Sequence, residues 1–460
     1  MRSIRCAGAT LLAVMVSGVT ASAAPLSLRD CLLQAIANSP QLGQVRHDML
    51  AASSDITKVR GTTLPALTGS LQAWELNGAP VYPWAVTGAF IPDITGPASA
   101  RRSFSSDAHW DPVAIEQIGV TYPLYQYGSI MGLNDAPVVA QSRSRYTQQQ
   151  WEILLEEQKV VLDVVNAYAY AIWYHDQSEM EQQTVQYAQR ELDIMQSEQS
   201  LGIKLPQDVA LAREQLQAAR DALSISQQNS RNAALQLAGL IGQPGNDNLE
   251  VEQVELPTPP LPPLNQFMRS VIPIHPALRV QDANVKIAQE QITISRADIL
   301  PTASLNTELL AGQDLEYPNG GPRHRRPTAF ESYLEVDIPI WDFGQRRAAL
   351  NESREEVFAQ KDKEQAIELT LRTAIAQAYS EIGQVNENLS SLEAAQLQAS
   401  NAAELARAQR SLGVADELTL VQAEVALLSA RITTGSEVLL KQIKYAELQN
   451  LSGGSWHWLQ

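Results

Sequence analysis

The sequence predicts a mainly α-helical chain with a small β portion, built from one helix–strand–strand–helix–helix unit used twice. Three observations predict it: duplicated landmarks in the same order, four short alternating segments, and proline-free stretches too long for a compact domain. Ser39-Pro40 and Leu64-Pro65 are matched by His275-Pro276 and Leu300-Pro301, with the same 25-residue interval from proline to proline in each copy. Tyr122-Pro123-Leu124-Tyr125-Gln126-Tyr127-Gly128 is matched by Ile338-Pro339-Ile340-Trp341-Asp342-Phe343-Gly344. Ser200-Leu201-Gly202-Ile203 is matched by Ser411-Leu412-Gly413-Val414, and Ala219-Arg220 by Ala430-Arg431. A unit of about 200 residues is far longer than the roughly 20–50-residue period of a solenoid. It is a duplicated element of domain size.

Residues 1–23 read as an export leader. Arg2 and Arg5 precede an apolar run from Ala7 to Val19, and Ala21-Ser22-Ala23 offers small residues for cleavage. Cys6 lies before that run, so Cys31 is the one cysteine left afterwards and no intramolecular disulfide is expected. The net charge is −17, from 34 Lys and Arg against 51 Asp and Glu. Losing the two leader arginines leaves 32 against 51, or −19. That balance disfavours nucleic acid as a partner. No later stretch holds 18 uninterrupted apolar residues, so any membrane crossing must be made by strands.

The first repeat, 24–253, opens with helix from about Ser27 to Arg60, broken at Ser39-Pro40. After Leu64-Pro65 comes alternation: Leu67, Gly69, Leu71 and Ala73 on one face, Thr68, Ser70, Gln72 and Trp74 on the other. A Pro/Gly/Ser-rich loop, about Asn77–Pro112, leads to a second strand with Ile118, Val120, Tyr122 and Leu124 on one face. The second repeat, 264–453, does the same with Ala303, Leu305, Thr307 and Leu309, then Leu334, Val336, Ile338 and Ile340. Such alternation fits two hairpins on a soluble core, and equally a membrane barrel with lipid outside and water inside. Four strands cannot close a barrel, because the smallest need about eight. A membrane reading therefore requires several chains, and three would supply twelve strands. Trp74, Trp110, Phe330 and Trp341 stand near strand ends, where aromatic girdles are expected.

Each strand pair leads into a long helix. Gly344–Leu412 contains no proline and would run roughly 100 Å at about 1.5 Å per residue. Its apolar positions Ile367, Leu371, Ala374, Ala378, Ile382, Val385, Leu389 and Leu392 give coiled-coil spacing with one extra step of four, a stutter. The returning helices repeat the habit at Val209, Ala212, Leu216, Ala219 and Leu223, and at Leu420, Ala423, Leu427, Ala430 and Thr434. Alanine-rich seams with polar surfaces on both sides suit a thin wall of helices. Residues 254–263, with five prolines, form a stiff linker between the repeats, and 454–460 are a short tail. The six histidines are scattered, and no phosphate-binding loop, nucleophile elbow or cysteine pair occurs. No catalytic residue, metal or cofactor is expected. The Arg323-His324-Arg325-Arg326 cluster reads either as a solvated loop or as a contact for anionic lipid or polysaccharide.

These repeats, the Tyr-Pro-Leu and Ile-Pro-Ile strand ends with Gly128 and Gly344, and the Leu-Gly-Ile and Leu-Gly-Val turns resemble the TolC family of outer-membrane efflux and secretion ducts. The resemblance covers about Leu26–Gly453. It implies a homotrimer with a twelve-stranded β-barrel, four strands per chain, in the outer membrane and a long α-helical barrel across the periplasm. It implies a passive exit duct for small molecules, driven by an inner-membrane RND or ABC transporter through a periplasmic adaptor, with outer-membrane lipid around the barrel. The same fold serving type I protein secretion is the alternative, and a periplasmic adaptor is the alternative of another class. Leu201, Gly202, Ile203, Leu412, Gly413 and Val414 would be the adaptor-contact tips. Some members place aspartates six and nine residues after these glycines. Here those positions hold Asp208 and Leu211, then Thr419 and Gln422, with Asp416 and Glu417 nearby. Asp208, Asp416, Glu417, Thr419 and Gln422 are thus the candidates for a periplasmic gate, and a cation-selective entrance rests chiefly on Asp208.

Overall fold

The computed structural model describes residues 25–77, 110–132, 136–247, 249–253, 256–314 and 328–453. The leader, most of the first loop, the Arg323–Arg326 cluster and the tail lie outside the described residues, as do the side chains of Trp74 and Trp110. The chain divides into two compact units. One comprises residues 46–152 and 277–367; the other comprises 1–45, 153–276 and 368–460.

The first of these units holds the sheet. Its strands are β1 (Ala66–Asn77), β2 (Trp110–Gln126), β3 (Ser129–Ile130), β4 (Thr302–Asp314) and β5 (Thr328–Asp337). The main path is β1-β2-β4-β5, antiparallel throughout, with β3 a short hairpin on β2. Gly69 pairs with Ile118, Ile118 with Leu309 and Leu309 with Phe330, so these residues share one face across all four strands. That face is apolar and open to the outside: Leu67 is 74% exposed and Leu71 72%, and Ile118, Leu309, Phe330, Leu334 and Val336 are exposed as well. The opposite face is polar and internally bonded, Gln117 Nε2 donating to Glu308 at 2.6 Å and Asn306 Nδ2 to Glu335 at 2.8 Å. An apolar face left bare is not the hairpin-on-a-soluble-core arrangement.

Two details of the sheet differ from the sequence expectation. The fourth strand stops at Asp337, so Ile338 and Ile340 fall outside it. Pro339 supplies no N–H for a ladder, and pairing with β4 ends at Thr302↔Asp337. The β3 hairpin carries no alternation of its own and has no counterpart after β5.

Four helices enter this unit: α2 (Pro40–Gly61), α3 (Pro137–Ser200), α6 (Pro276–Ala297) and α7 (Gln345–Ser411). Short polar side chains join neighbours. Ser142 Oγ donates to Asp55 at 3.0 Å, Gln141 Nε2 to Gln291 at 2.9 Å, and Ser295 shares a hydrogen bond with Ser353 at 2.8 Å. Gln141, Ser142, Gln281, Ser295 and Ser353 are buried, and their bonded amides and hydroxyls satisfy the cost of that burial. The contacts link α2 to α3, α3 to α6 and α6 to α7. This is the order of the strands to which these helices connect.

The second unit packs α1 (Leu28–Asn38), α4 (Pro206–Leu240), α5 (Leu264–Val271), α8 (Glu417–Asn450) and stretches of α3 and α7. Ser27 caps α1 by accepting from Asp30 N–H. Ser39 does the same for α2, accepting from Leu42 N–H, with Pro40 as its first residue. The core joins Cys31, Leu32 and Ala35 to Val161, Val164, Val165 and Tyr168, and to Leu237, Ile241 and Ala446. Tyr168 is fully buried, and its hydroxyl donates to the Glu252 carbonyl at 2.6 Å. Burial pushes the Cys31 thiol up to about 11, which leaves it a small apolar filler. Gly435 makes room for the Trp173 ring, since a Cβ there would meet it at 2.1 Å.

The long helix α7 runs 67 residues without a break. Its buried line is Leu371, Ile375, Ala378, Ile382, Val385 and Leu389. Ile375 takes the place expected for Ala374, so the steps alternate strictly between four and three from Leu371 to Leu389, and the two consecutive steps of four move to the half-buried Ile367 with Leu371 and Ile375. The larger side chain wins the seam because it buries more apolar surface. On α8 the buried line is Val421, Glu424, Leu427, Leu428 and Thr434, turned from the expected Leu420 and Ala423.

Candidate functional site: the paired hairpin turns

Helices α3 and α4 form one hairpin, α7 and α8 the other, both in the second unit at their turns. Each turn is built the same way. Ile203 N–H donates to the Glu198 carbonyl at 2.9 Å and Gly202 N–H to Gln199 at 2.9 Å. In the second copy Val414 N–H donates to Gln409 at 2.9 Å and Gly413 N–H to Arg410 at 3.0 Å. Both are Schellman closures, six-to-one and five-to-two, and each requires a left-handed residue. Gly202 at φ +76° and Gly413 at φ +73° supply it. The apolar contact that usually accompanies this closure has nothing to meet, because Glu198 and Gln409 stand where an apolar partner would be. Ile203 and Val414 are exposed as a result, and Leu201 and Leu412 are exposed beside them.

The candidate gate residues divide by role. The Asp208 carboxylate accepts from Leu205 N–H at 2.9 Å and steadies the start of α4, where Pro206 is the first residue. Asp416 caps α8 by accepting from both the hydroxyl and the backbone N–H of Thr419, the latter at 2.9 Å. Those two bonds hold its carboxyl below the usual aspartate range, and the Lys204 ammonium of the other turn adds to the effect. Glu417 pairs with Arg410 at 3.4 Å. Gln422 donates to Glu191 at 3.3 Å, and Leu418 packs on the core formed by Ala188, Leu192, Met195, Val209, Ala212, Leu216 and Ala219. Thus Gln422 and Leu418 join the second hairpin to the first, while Asp208 and Asp416 each serve the helix they begin.

One feature was not foreseen from the sequence. Glu424, 6% exposed, receives a two-pronged ion pair from Arg407 at 2.5 and 2.7 Å, bridging α7 and α8. The pair raises the already high guanidinium value further. Placed at the same distance from the turn glycine, the first repeat has Gln196 and Arg213, so this clamp belongs to one hairpin alone. Opposite charges flanking Gly413, Arg407 before it and Glu424 after it, were the available sequence signal. Among the described residues no cluster of His, Cys, Asp and Glu could hold a metal ion.

The family model described as outer membrane efflux protein matches residues 32–243 and 271–454. No curated protein sequence is a significant match. Among solved structures, the chain is similar to the outer membrane protein VceC of Vibrio cholerae, at TM-score 0.71 and 15% identity, covering 93% of this chain and 96% of that one. It is similar to the CmeC outer membrane channel of Campylobacter jejuni, at TM-score 0.72 and 14% identity, covering 93% and 85%. The open state of the MtrE outer membrane channel of Neisseria gonorrhoeae gives TM-score 0.69 and 16% identity, covering 93% and 89%.

Proposed function

Because the chain belongs to the outer membrane efflux protein family, we propose that three copies pool their strands into one twelve-stranded pore. Membership makes the protein an outer-membrane exit duct of an efflux system that extends into the periplasm. It is a conduit and not an enzyme, and the adaptor alternative is set aside. Members of the family act as trimers together with adaptors and inner-membrane pumps.

The observation that carries the trimer is the open sheet. β1 and β5 end the path β1-β2-β4-β5 with one edge each unpaired among the described residues, and the apolar face is bare. Unpaired edges in lipid cost several kcal/mol per unsatisfied group, and pairing β5 of one copy with β1 of the next removes them all. The helices would continue the wall into the periplasm. The two repeats, 24–253 and 264–453, joined through 254–263, would each form one-sixth of the tube. The exposed turns Leu201-Gly202-Ile203 and Leu412-Gly413-Val414 are the surface for a periplasmic adaptor, which couples the duct to an RND or ABC transporter. Asp208, Asp416, Glu417, Thr419 and Gln422 lie around the closing end, and shifts of the hairpins there would open it.

The test is detergent extraction of the outer membrane, followed by native mass measurement and planar-bilayer conductance. A trimer with conductance supports the reading; a monomer without conductance refutes it.

A further inference from the structure

All strand–helix junctions of the sheet lie at one end of it, as the register places Ala66 opposite Thr121, Tyr125 opposite Ala303 and Thr302 opposite Asp337. Three of these junctions share an order of side chains. Moving away from the bare apolar face, the chain meets exposed apolar or aromatic residues and then, within about two helical turns, an exposed arginine. Before β1 these are Leu64 and Arg60; before β4, Leu300 and Arg296; after β5, Phe343 and Arg347. Phe343 is 91% exposed and stacks edge-on with the exposed Trp341.

The first two junctions are copies of each other, with the arginine five residues ahead of the proline in Leu64-Pro65 and again in Leu300-Pro301. Arg60, Arg296 and Arg347 have no ion-pair partner among the described residues. The nearby Asp342 carboxylate is taken by another arginine, pairing with the Arg346 guanidinium at 3.9 Å while accepting from the N–H groups of Gly344 and Arg346. An apolar face, a rim of apolar or aromatic side chains and then cations follows the layering of a membrane surface read outward from hydrocarbon through the interface to the phosphates. A guanidinium suits a phosphate because its planar fork presents two donors at once.

We propose that Arg60, Arg296 and Arg347 form a collar that binds the phosphates of anionic phospholipid headgroups in the leaflet facing the periplasm. The proposal rests on the outer-membrane reading and adds the lipid class, the leaflet and the residues. Each arginine at an anionic surface strengthens association about fivefold, so selectivity should depend on how many remain.

The full-length protein is inserted into nanodiscs of phosphatidylcholine alone or with phosphatidylglycerol at one part in three, and the lipid it retains on extraction is measured by native mass spectrometry. Phosphatidylglycerol enriched over its share of the bilayer is expected. Single variants Arg60→Gln, Arg296→Gln and Arg347→Gln should each cut that enrichment several-fold, and the triple variant should abolish it, with conductance retained. Inorganic phosphate at millimolar level should not compete, since the apolar side chains supply part of the hold. Retention in proportion to bilayer composition by the unmodified protein would overturn the proposal without any variant, as would an enrichment the triple variant keeps. Should the protein enter neither nanodisc, the outer-membrane reading itself falls, and the collar with it.

Discussion

Removing the Arg407 side chain should loosen the second hairpin and leave the first alone. In Arg407→Met the stem is retained and the guanidinium lost, so the buried Glu424 carboxylate keeps its place without its two donors. Breaking one partner of a fully buried pair costs about 3–5 kcal/mol. The Arg407 side chain is 53% exposed against 8% for Glu424, so water already weakens the pair, and a discounted figure is about 2–3 kcal/mol. Every 1.4 kcal/mol is tenfold, which converts to roughly 30–150-fold. Amide hydrogen exchange reads that as faster local opening of residues 403–428. Glu424→Gln keeps a neutral acceptor for the guanidinium and should cost only about 1 kcal/mol. The corresponding stretch of the first hairpin, around Gln196 and Arg213, should exchange as before. Equal acceleration in both hairpins, or none in either, would refute the clamp as a local lock.

Gly435→Ala drives a methyl group into the Trp173 ring and should destabilise the protein by about 1–3 kcal/mol, as overpacking does; thermal unfolding checks this, and adding Trp173→Leu should restore part of the loss. Gly202→Ala and Gly413→Ala each force a left-handed alanine at about 1–2 kcal/mol, while Gly→Asn at either site costs less; exchange of the turn amides ranks the three. Because the folded Asp416 value is depressed, its capping contribution is full above the unfolded value near 4 and is lost as pH falls through the lower folded value. Below pH 4, exchange at the first turn of α8 should therefore speed up progressively in the native protein, relative to the intrinsic rate, and stay level in Asp416→Asn.

The strands were legible because alternation needs only a period of two and a difference between the faces, and Leu67, Ile118, Leu309 and Leu334 supplied both. The turns were legible because Leu-Gly occurs twice in the same context, and glycine is the residue a left-handed closure demands. The seam of α7 was legible in spacing but not in phase. Ala374 and Ile375 both fit the period, and only neighbouring helices decide which one faces inward. The clamp between Arg407 and Glu424 was hidden for a different reason: a charged residue on a seam looks like a solvated one until its partner across the hairpin is known. Strand order, with β2 beside β4, joins residues some 190 apart and leaves no local trace.

The shared order of strands and helices in the sheet unit ties the copies' outer and inner layers to a single alignment. In the proposed trimer a neighbour pairing along β1 would also lie beside α2, which leads directly into that strand, and one pairing along β5 would lie beside α7. A slip of one residue at such a seam would turn Leu67 and Leu71 toward the polar side and at the same time misalign the helices by a fraction of a turn. In the proposed trimer two penalties would then fall on the same mistake, so a mispaired joint would be disfavoured in the sheet and in the helices at once.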